Sequence, residues 1–164
     1  MKNLKNNKKG FTLIELLAVI VILAILVMVA IPAVTKYLNT SRNSAFLDNA
    51  KSAVSAVRND YIISGGSGTA CTIDGADGVC YNKAKINSLL EKKLVESPFG
   101  GDYRDACVQV IDTNSGANLT DVSDVTYKIC LIDNNGKGFE MTEENAIKMS
   151  STIIATGVTC GCPA

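Results

Sequence analysis

The sequence predicts an α+β chain: a long N-terminal α-helix, hydrophobic in its first half and amphipathic in its second, packed on a small antiparallel β-sheet head. Three observations predict it. Residues 16–34 read LLAVIVILAILVMVAIPAV, without one charge. Residues 35–63 then carry apolar or small side chains at helical spacing. Residues 64–164 break into short β-branched runs separated by glycine and asparagine turns.

Taken from the N-terminus, residues 1–10 carry Lys2, Lys5, Lys8 and Lys9 and no acid. Nineteen apolar or proline residues follow from Leu16 to Val34, with Phe11, Leu13 and Ile14 ahead of them. About 20 such residues cross a bilayer core of about 30 Å, whereas the apolar part of a cleaved secretory signal is usually ~7–15 residues. The segment reads as a membrane span. Lysines on its N-terminal side keep that end cytoplasmic and send the C-terminus outside. Glu15 interrupts the apolar stretch near its start. A carboxylate at such a depth normally has a partner. No basic residue lies in the span, and Lys9 stands six positions back, which is not helix-adjacent spacing. A partner brought by another chain is the sharper explanation; an acid stranded near the interface is the plainer one.

Gly10-Phe11-Thr12-Leu13-Ile14-Glu15, behind a short lysine-rich leader and ahead of a long apolar helix, resembles the N-terminus of type IV prepilins and of the related pseudopilins of type II secretion and competence systems. The resemblance covers residues 1 to about 60. It implies that residues 1–10 are a leader and that a membrane prepilin peptidase cuts between Gly10 and Phe11 and N-methylates Phe11. It implies that residues 11–34 form a transmembrane and filament-core helix. Glu15 would pair with the amino terminus of a neighbouring subunit and set register, and Pro32 would be the helix-loosening proline. Proline removes a backbone donor and kinks a helix. The resemblance further implies a helical filament of copies of the chain with other pilins. Its partners would be the peptidase, an assembly ATPase and a platform protein, with the membrane as host before assembly.

Past the span, Leu38, Ala45, Phe46, Ala50, Ala53, Val54, Val57, Tyr61 and Ile62 fit one helical face, and Lys36, Arg42, Asp48, Lys51, Arg58 and Asp60 the other. Residues 35–63 are therefore expected to pack on the head, and Ser64-Gly65-Gly66-Ser67-Gly68 to stop the helix. In the head, Gly65–Val79 reads as a glycine-rich acidic loop. Asn82 can cap a helix through Leu94, with Ile86, Leu89, Leu90 and Leu94 on one face. Ser97-Pro98-Phe99-Gly100-Gly101 is turn chemistry. Cys107–Ile111 and Val125–Ile132 read as strands. Asn134-Asn135-Gly136 signals a hairpin with a return strand Gly138–Met141. Thr142 can cap a short helix Glu143–Met149, and Ser151–Thr159 reads as a last strand.

Cys71, Cys80, Cys107, Cys130, Cys160 and Cys162 all fall on the outer side, where an even count argues disulfides. Sequence does not choose among the ~15 pairings. Cys71–Cys80 closing a local loop and Cys107–Cys130 joining neighbouring strands are the expected bridges. Cys160 and Cys162 are then a near pair, or partners for two of the others. Free thiols and a thiolate metal site are the alternatives.

Charge and composition narrow the function. The 16 basic and 16 acidic residues cancel, which argues against gripping nucleic acid by counterion release. Removing the four leader lysines leaves 12 against 16, a formal −4. The absence of histidine excludes Ser-His-Asp and Cys-His catalysis and imidazole-bound zinc. No nucleophile has a visible base, so an enzyme has no positive feature, and no cofactor or metal is expected. Asp133-x-Asn135 and the Asp74/Asp77 pair are weak calcium signals. Lys83, Lys85, Lys92 and Lys93 form a basic strip, most simply a wet face. Asn118-Leu119-Thr120 matches a glycosylation sequon, a frequent chance match. The leading expectation is a pilus subunit for adhesion, aggregation or twitching motility. The others are a minor pilin or pseudopilin, and a single-pass membrane-anchored binding or redox domain.

Overall fold

The computed structural model of the protein describes residues 10–91, 94, 96–112, 125–149 and 153–163. Lys2, Lys5, Lys8, Lys9, Lys92, Lys93 and the sequon Asn118-Leu119-Thr120 lie outside the described residues. Helix α1 runs Leu13–Ile63. The chain divides into two compact units, Met1–Thr40 and Ser41–Ala164.

In the first unit the described residues of α1 are exposed throughout, and large side chains such as Met28 and Val29 show about three quarters of their surface (76% and 73%). The helix is long and apolar enough to cross a membrane. Pro32 sits inside it. Having no N–H, Pro32 offers no donor to the Met28 carbonyl one turn back.

The second unit is an α+β domain. Residues Phe46, Ala50, Ala53, Val54, Val57 and Tyr61 of α1 are buried, at the three- and four-residue spacing of one helical face. They pack on a five-stranded antiparallel sheet whose spatial order is its chain order, β1-β2-β3-β4-β5. The strands are β1 Thr69–Ile73, β2 Ala76–Asn82, β3 Tyr103–Asp112, β4 Val125–Asp133 and β5 Gly138–Glu143. A short helix α2, Lys83–Leu89, joins β2 to β3. The two sheet faces bury different cores, as alternation along strands requires. On the helix side, Tyr81, Val108, Val110, Tyr127, Ile129, Leu131 and Phe139 meet α1. Phe46 is fully buried there, with the rings of Phe99, Tyr103 and Phe139 at 6.0, 5.2 and 6.1 Å from its own. On the other face, Ile73, Cys80, Cys107, Cys130 and Ile132 pack with Ile154 and Cys160 of the C-terminal segment.

Several sequence expectations change. Gly65–Val79 is no loop through its length: Thr69–Ile73 and Ala76–Asn82 form a hairpin. Its turn is Asp74-Gly75, with φ of 51° and 75°, the left-handed pair that Asp-Gly turns supply. Gly78 belongs in the strand because a Cβ there would lie 2.4 Å from the Val110 carbonyl oxygen. Asn82 does cap α2, accepting from the Lys85 N–H at 3.0 Å. The helix stops five residues short of Leu94, however, since Glu91 takes a left-handed φ of 51°. Leu94 is still buried in the same core. The strands β3 and β4 overrun their expected ends. Thr142 does not cap a helix. It pairs with Ile129 in the ladder, and Glu143 lies opposite Lys128, a favourable charge pair. The helix expected at Glu143–Met149 shrinks to one 3-10 turn, Glu144–Ala146. Of the last strand, Ser151 and Thr152 lie outside the described residues, and residues 153–159 carry no strand. They form a strap over the sheet. The Ile154 N–H donates to the Gly136 carbonyl (2.9 Å), Arg104 donates to the Ala155 and Val158 carbonyls (2.9 and 3.1 Å), and the Cys160 N–H donates to Asp105 (2.7 Å).

Burial leaves a pH signature. It pushes the phenols of Tyr61, Tyr103 and Tyr127 above the ordinary tyrosine range, and that of Tyr81, with Asp60 nearby, up to about 12. The folded head therefore holds protons that the unfolded chain releases at about pH 10. Stability is expected to be unaffected by these groups below pH 10 and to fall as pH rises from about 10 to 12. Urea midpoints across that range, with phenolate absorbance on the same samples, check this; midpoints flat to pH 12 would contradict it.

Candidate functional site

The residues singled out at the N-terminus lie at the head of α1. Gly10, Phe11 and Thr12 precede the helix, and Phe11 is 90% exposed. An added Cβ on Gly10 meets nothing within 4 Å. The fold itself therefore places no demand for glycine there.

Glu15 has a local partner that the sequence expectation overlooked. The backbone N–H and the hydroxyl of Thr12 both donate to its Oε2, each at 2.8 Å, and the Glu15 N–H donates to the Thr12 hydroxyl at 3.3 Å. This is a capping box, in which a threonine and the glutamate three residues on satisfy each other's free backbone donors. The pattern Thr12-x-x-Glu15 was its signal. The anion also sits at the positive end of the helix dipole. Among the described residues no lysine or arginine pairs with Glu15.

The six cysteines form three bridges: Cys71–Cys80, Cys107–Cys162 and Cys130–Cys160, with Cα separations of 5.8, 5.6 and 5.5 Å. The local bridge is as expected. Cys107–Cys130 is not a bridge, although the two face each other across β3 and β4. Each reaches up to the strap instead. Cys160 and Cys162, two residues apart, both bond to cysteines of the sheet. Gly161, at φ 79°, turns the chain between them.

The bridge with the longest span, 55 residues, ties the C-terminus to β3. Replacing both Cys107 and Cys162 by alanine is expected to cost about 4 kcal/mol by loop entropy. Comparing denaturant midpoints of the variant and the parent checks it; a loss under ~1 kcal/mol would contradict the loop account.

The remaining candidates are structural. Lys83 donates to the Tyr103 carbonyl and Lys85 lies 3.5 Å from Asp60, so these two members of the basic strip are engaged within the head. Asp133 is buried and accepts from the N–H groups of Asn135 and Lys137 and from the Ser97 hydroxyl, which makes it the cap of the β4–β5 hairpin. Asp77 accepts from Thr72 across the first hairpin. A cleft of about 600 Å³ beside α1 is lined by Lys51, Arg58, Tyr127 and Glu144. Within it Arg58 pairs with Glu144 and lies 4.7 Å over the Tyr127 ring.

Among known families, the model of the prokaryotic N-terminal methylation motif matches residues 5–31. The match takes in Gly10, Phe11, Thr12, Glu15 and the apolar run to Ile31. No solved structure matches the chain.

Proposed function

We propose that this chain, a type IV pilin-like protein by its N-terminal methylation motif, is a structural subunit of a type IV pilus. The observation that carries this reading is a helix whose apolar residues over 13–34 are exposed and whose first turn bears an acid with no lysine or arginine partner among the described residues. Fibre packing would supply a cover and a counter-ion.

In this reading a prepilin peptidase cuts after Gly10, removes residues 1–10 and N-methylates Phe11. The new amine is largely charged near neutral pH, with a pKa of about 7.7. Thr12 engages one carboxylate oxygen, Oε2. Oε1 can then take the amine of a neighbouring subunit while the helix cap stays closed. Such a pair is a poor source of net stability, because both ions lose water, but a subunit out of register would strand the acid. Pro32 loosens the helix where it must be drawn from lipid into the fibre. Residues 11–34 form the filament core and residues 64–164, with the α1 stripe from Phe46 to Tyr61 packed on them, the exposed head, whereas Leu38 and Ala45, expected on that packed face, stay exposed. An assembly ATPase and a platform protein drive the transfer, and the chain rests in the cytoplasmic membrane, head outside, until then. The head's exterior would serve adhesion, aggregation or twitching motility. A minor pilin or a pseudopilin shares all of these features and differs in abundance.

Gly10→Leu tests the processing. Since the glycine has open space around it, the variant is expected to fold and insert as before but to keep its leader, visible by mass as the longer species, and to be missing from sheared surface fibres. Normal cleavage of the variant would overturn the assignment. In the parent, a chain that dominates the sheared fibres is a major pilin. A trace amount would move it to the minor class.

A further inference from the structure

The geometry points to a thiol-reactive exchange site on the back of the sheet, in which a thiolate that opens Cys71–Cys80 goes on to release Cys162 and the C-terminal end. The sheet register places Cys71, Cys80 and Cys107 on one diagonal. Thr69 faces Cys80 and Cys80 faces Gln109, so Cys71 is two residues above the first pairing and Cys107 two below the second on the same face. Cys80 thus stands to Cys107 as Cys71 stands to Cys80, and the latter pair is already bridged at a Cα separation of 5.8 Å. The sulfurs of Cys80, Cys107 and Cys162 all lie within 4.8 Å of one another. Two separate disulfides therefore share one sulfur cluster.

Exposure gives the cluster a direction. Cys71 is partly exposed on β1, the edge strand of the sheet. Cys80 is 6% exposed and Cys107 fully buried, while Cys162 is again partly exposed. Entry is placed at the Cys71 sulfur, on the edge strand, because its bridge partner Cys80 is the sulfur held in the cluster. A small thiolate forms a mixed disulfide there, and the bond to Cys80 breaks with Cys80 leaving as a thiolate. That thiolate is held against the Cys107–Cys162 bridge. Exchange favours the leaving sulfur that is better stabilised as an anion. Attack on Cys107 expels Cys162 toward water, whereas attack on Cys162 would expel a thiolate into the buried face. The products are a mixed disulfide on Cys71, a Cys80–Cys107 bridge and a free Cys162, which takes the proton of the incoming thiol. The count of disulfides is conserved and no oxidant is consumed. Cys130–Cys160, buried at both ends (1% and 4% exposed), keeps the strap moored. The exchange therefore frees only the chain end beyond Cys160.

The test uses the full chain in detergent micelles, limiting reduced glutathione as the probe, an iodoacetamide quench and disulfide peptide mapping. The expected products are glutathione on Cys71, carbamidomethyl on Cys162 and a Cys80–Cys107 linked peptide. Glutathione arriving first on Cys162 or Cys107, or alkylated Cys80 beside an intact Cys107–Cys162 bridge, would overturn the proposal. In the double variant Cys71→Ser, Cys80→Ser, labelling of Cys162 at the same glutathione dose is expected to fall to background, and unchanged labelling would overturn it equally. Should that variant fail to fold, the product map of the parent decides alone.

Discussion

Glu15→Ala is expected to yield a processed, membrane-held subunit and few surface fibres. The side chain is exposed in the single chain, so its loss removes little of the chain's own packing. What the variant loses locally is half of the capping box, as the Thr12 N–H and hydroxyl lose their acceptor, a cost of about 1 kcal/mol confined to the first turn. That is too little to unseat a helix running to Ile63. The assembly loss is of another size, because each neighbouring amine in the apolar core would be left without its anion. Shearing cells and comparing fibre yield with the membrane pool separates the two effects. Glu15→Gln sharpens the contrast, since the amide oxygen can still accept from Thr12 but carries no charge. Normal fibre yield from either variant would remove the register role.

Phe46→Ala is expected to destabilise the head by about 3–5 kcal/mol. Phe46 is fully buried and is the one ring of α1 set among Phe99, Tyr103 and Phe139. Truncation loses its transfer energy and leaves a cavity walled by three rings, none of which can fill it without leaving its own place. Stabilities of small domains run roughly 5–15 kcal/mol, so the variant stands near unfolding at 37 °C. Urea midpoints with an unchanged slope check it. A shift worth under ~1 kcal/mol would mean that the helix-side core does not rest on this residue.

The N-terminal half of the molecule was legible because its signals are local. The N-terminal lysines, Gly10-Phe11, Glu15 and the apolar run sit in one short window, and the methylation motif that they suggest matches residues 5–31. The buried stripe from Phe46 to Tyr61, the Asn82 cap and the Asn135-Gly136 turn are local in the same way. Two local signals were present and outweighed. Asp74-Gly75 marks a hairpin, but the glycines around it read as a loop. Thr12-x-x-Glu15 marks a cap, but the apolar context drew attention to the charge alone. The rest was not legible because it is settled at a distance. Thr142 has capping chemistry and loses it to a ladder with Ile129, thirteen residues back. Facing cysteines on β3 and β4 suggested each other, and their actual partners come from the C-terminal segment, brought over the sheet by Arg104 and Asp105. Helix α2 ends where Glu91 turns left-handed, a conformation that nothing in Leu89-Leu90-Glu91 announces.

The most direct measurement is the intact mass and N-terminal sequence of the chain recovered from sheared surface material. A polypeptide beginning at a methylated Phe11, and present in multimeric fibres, is the expected result. Native chains that still begin at Met1 and never multimerise would contradict the account at its root.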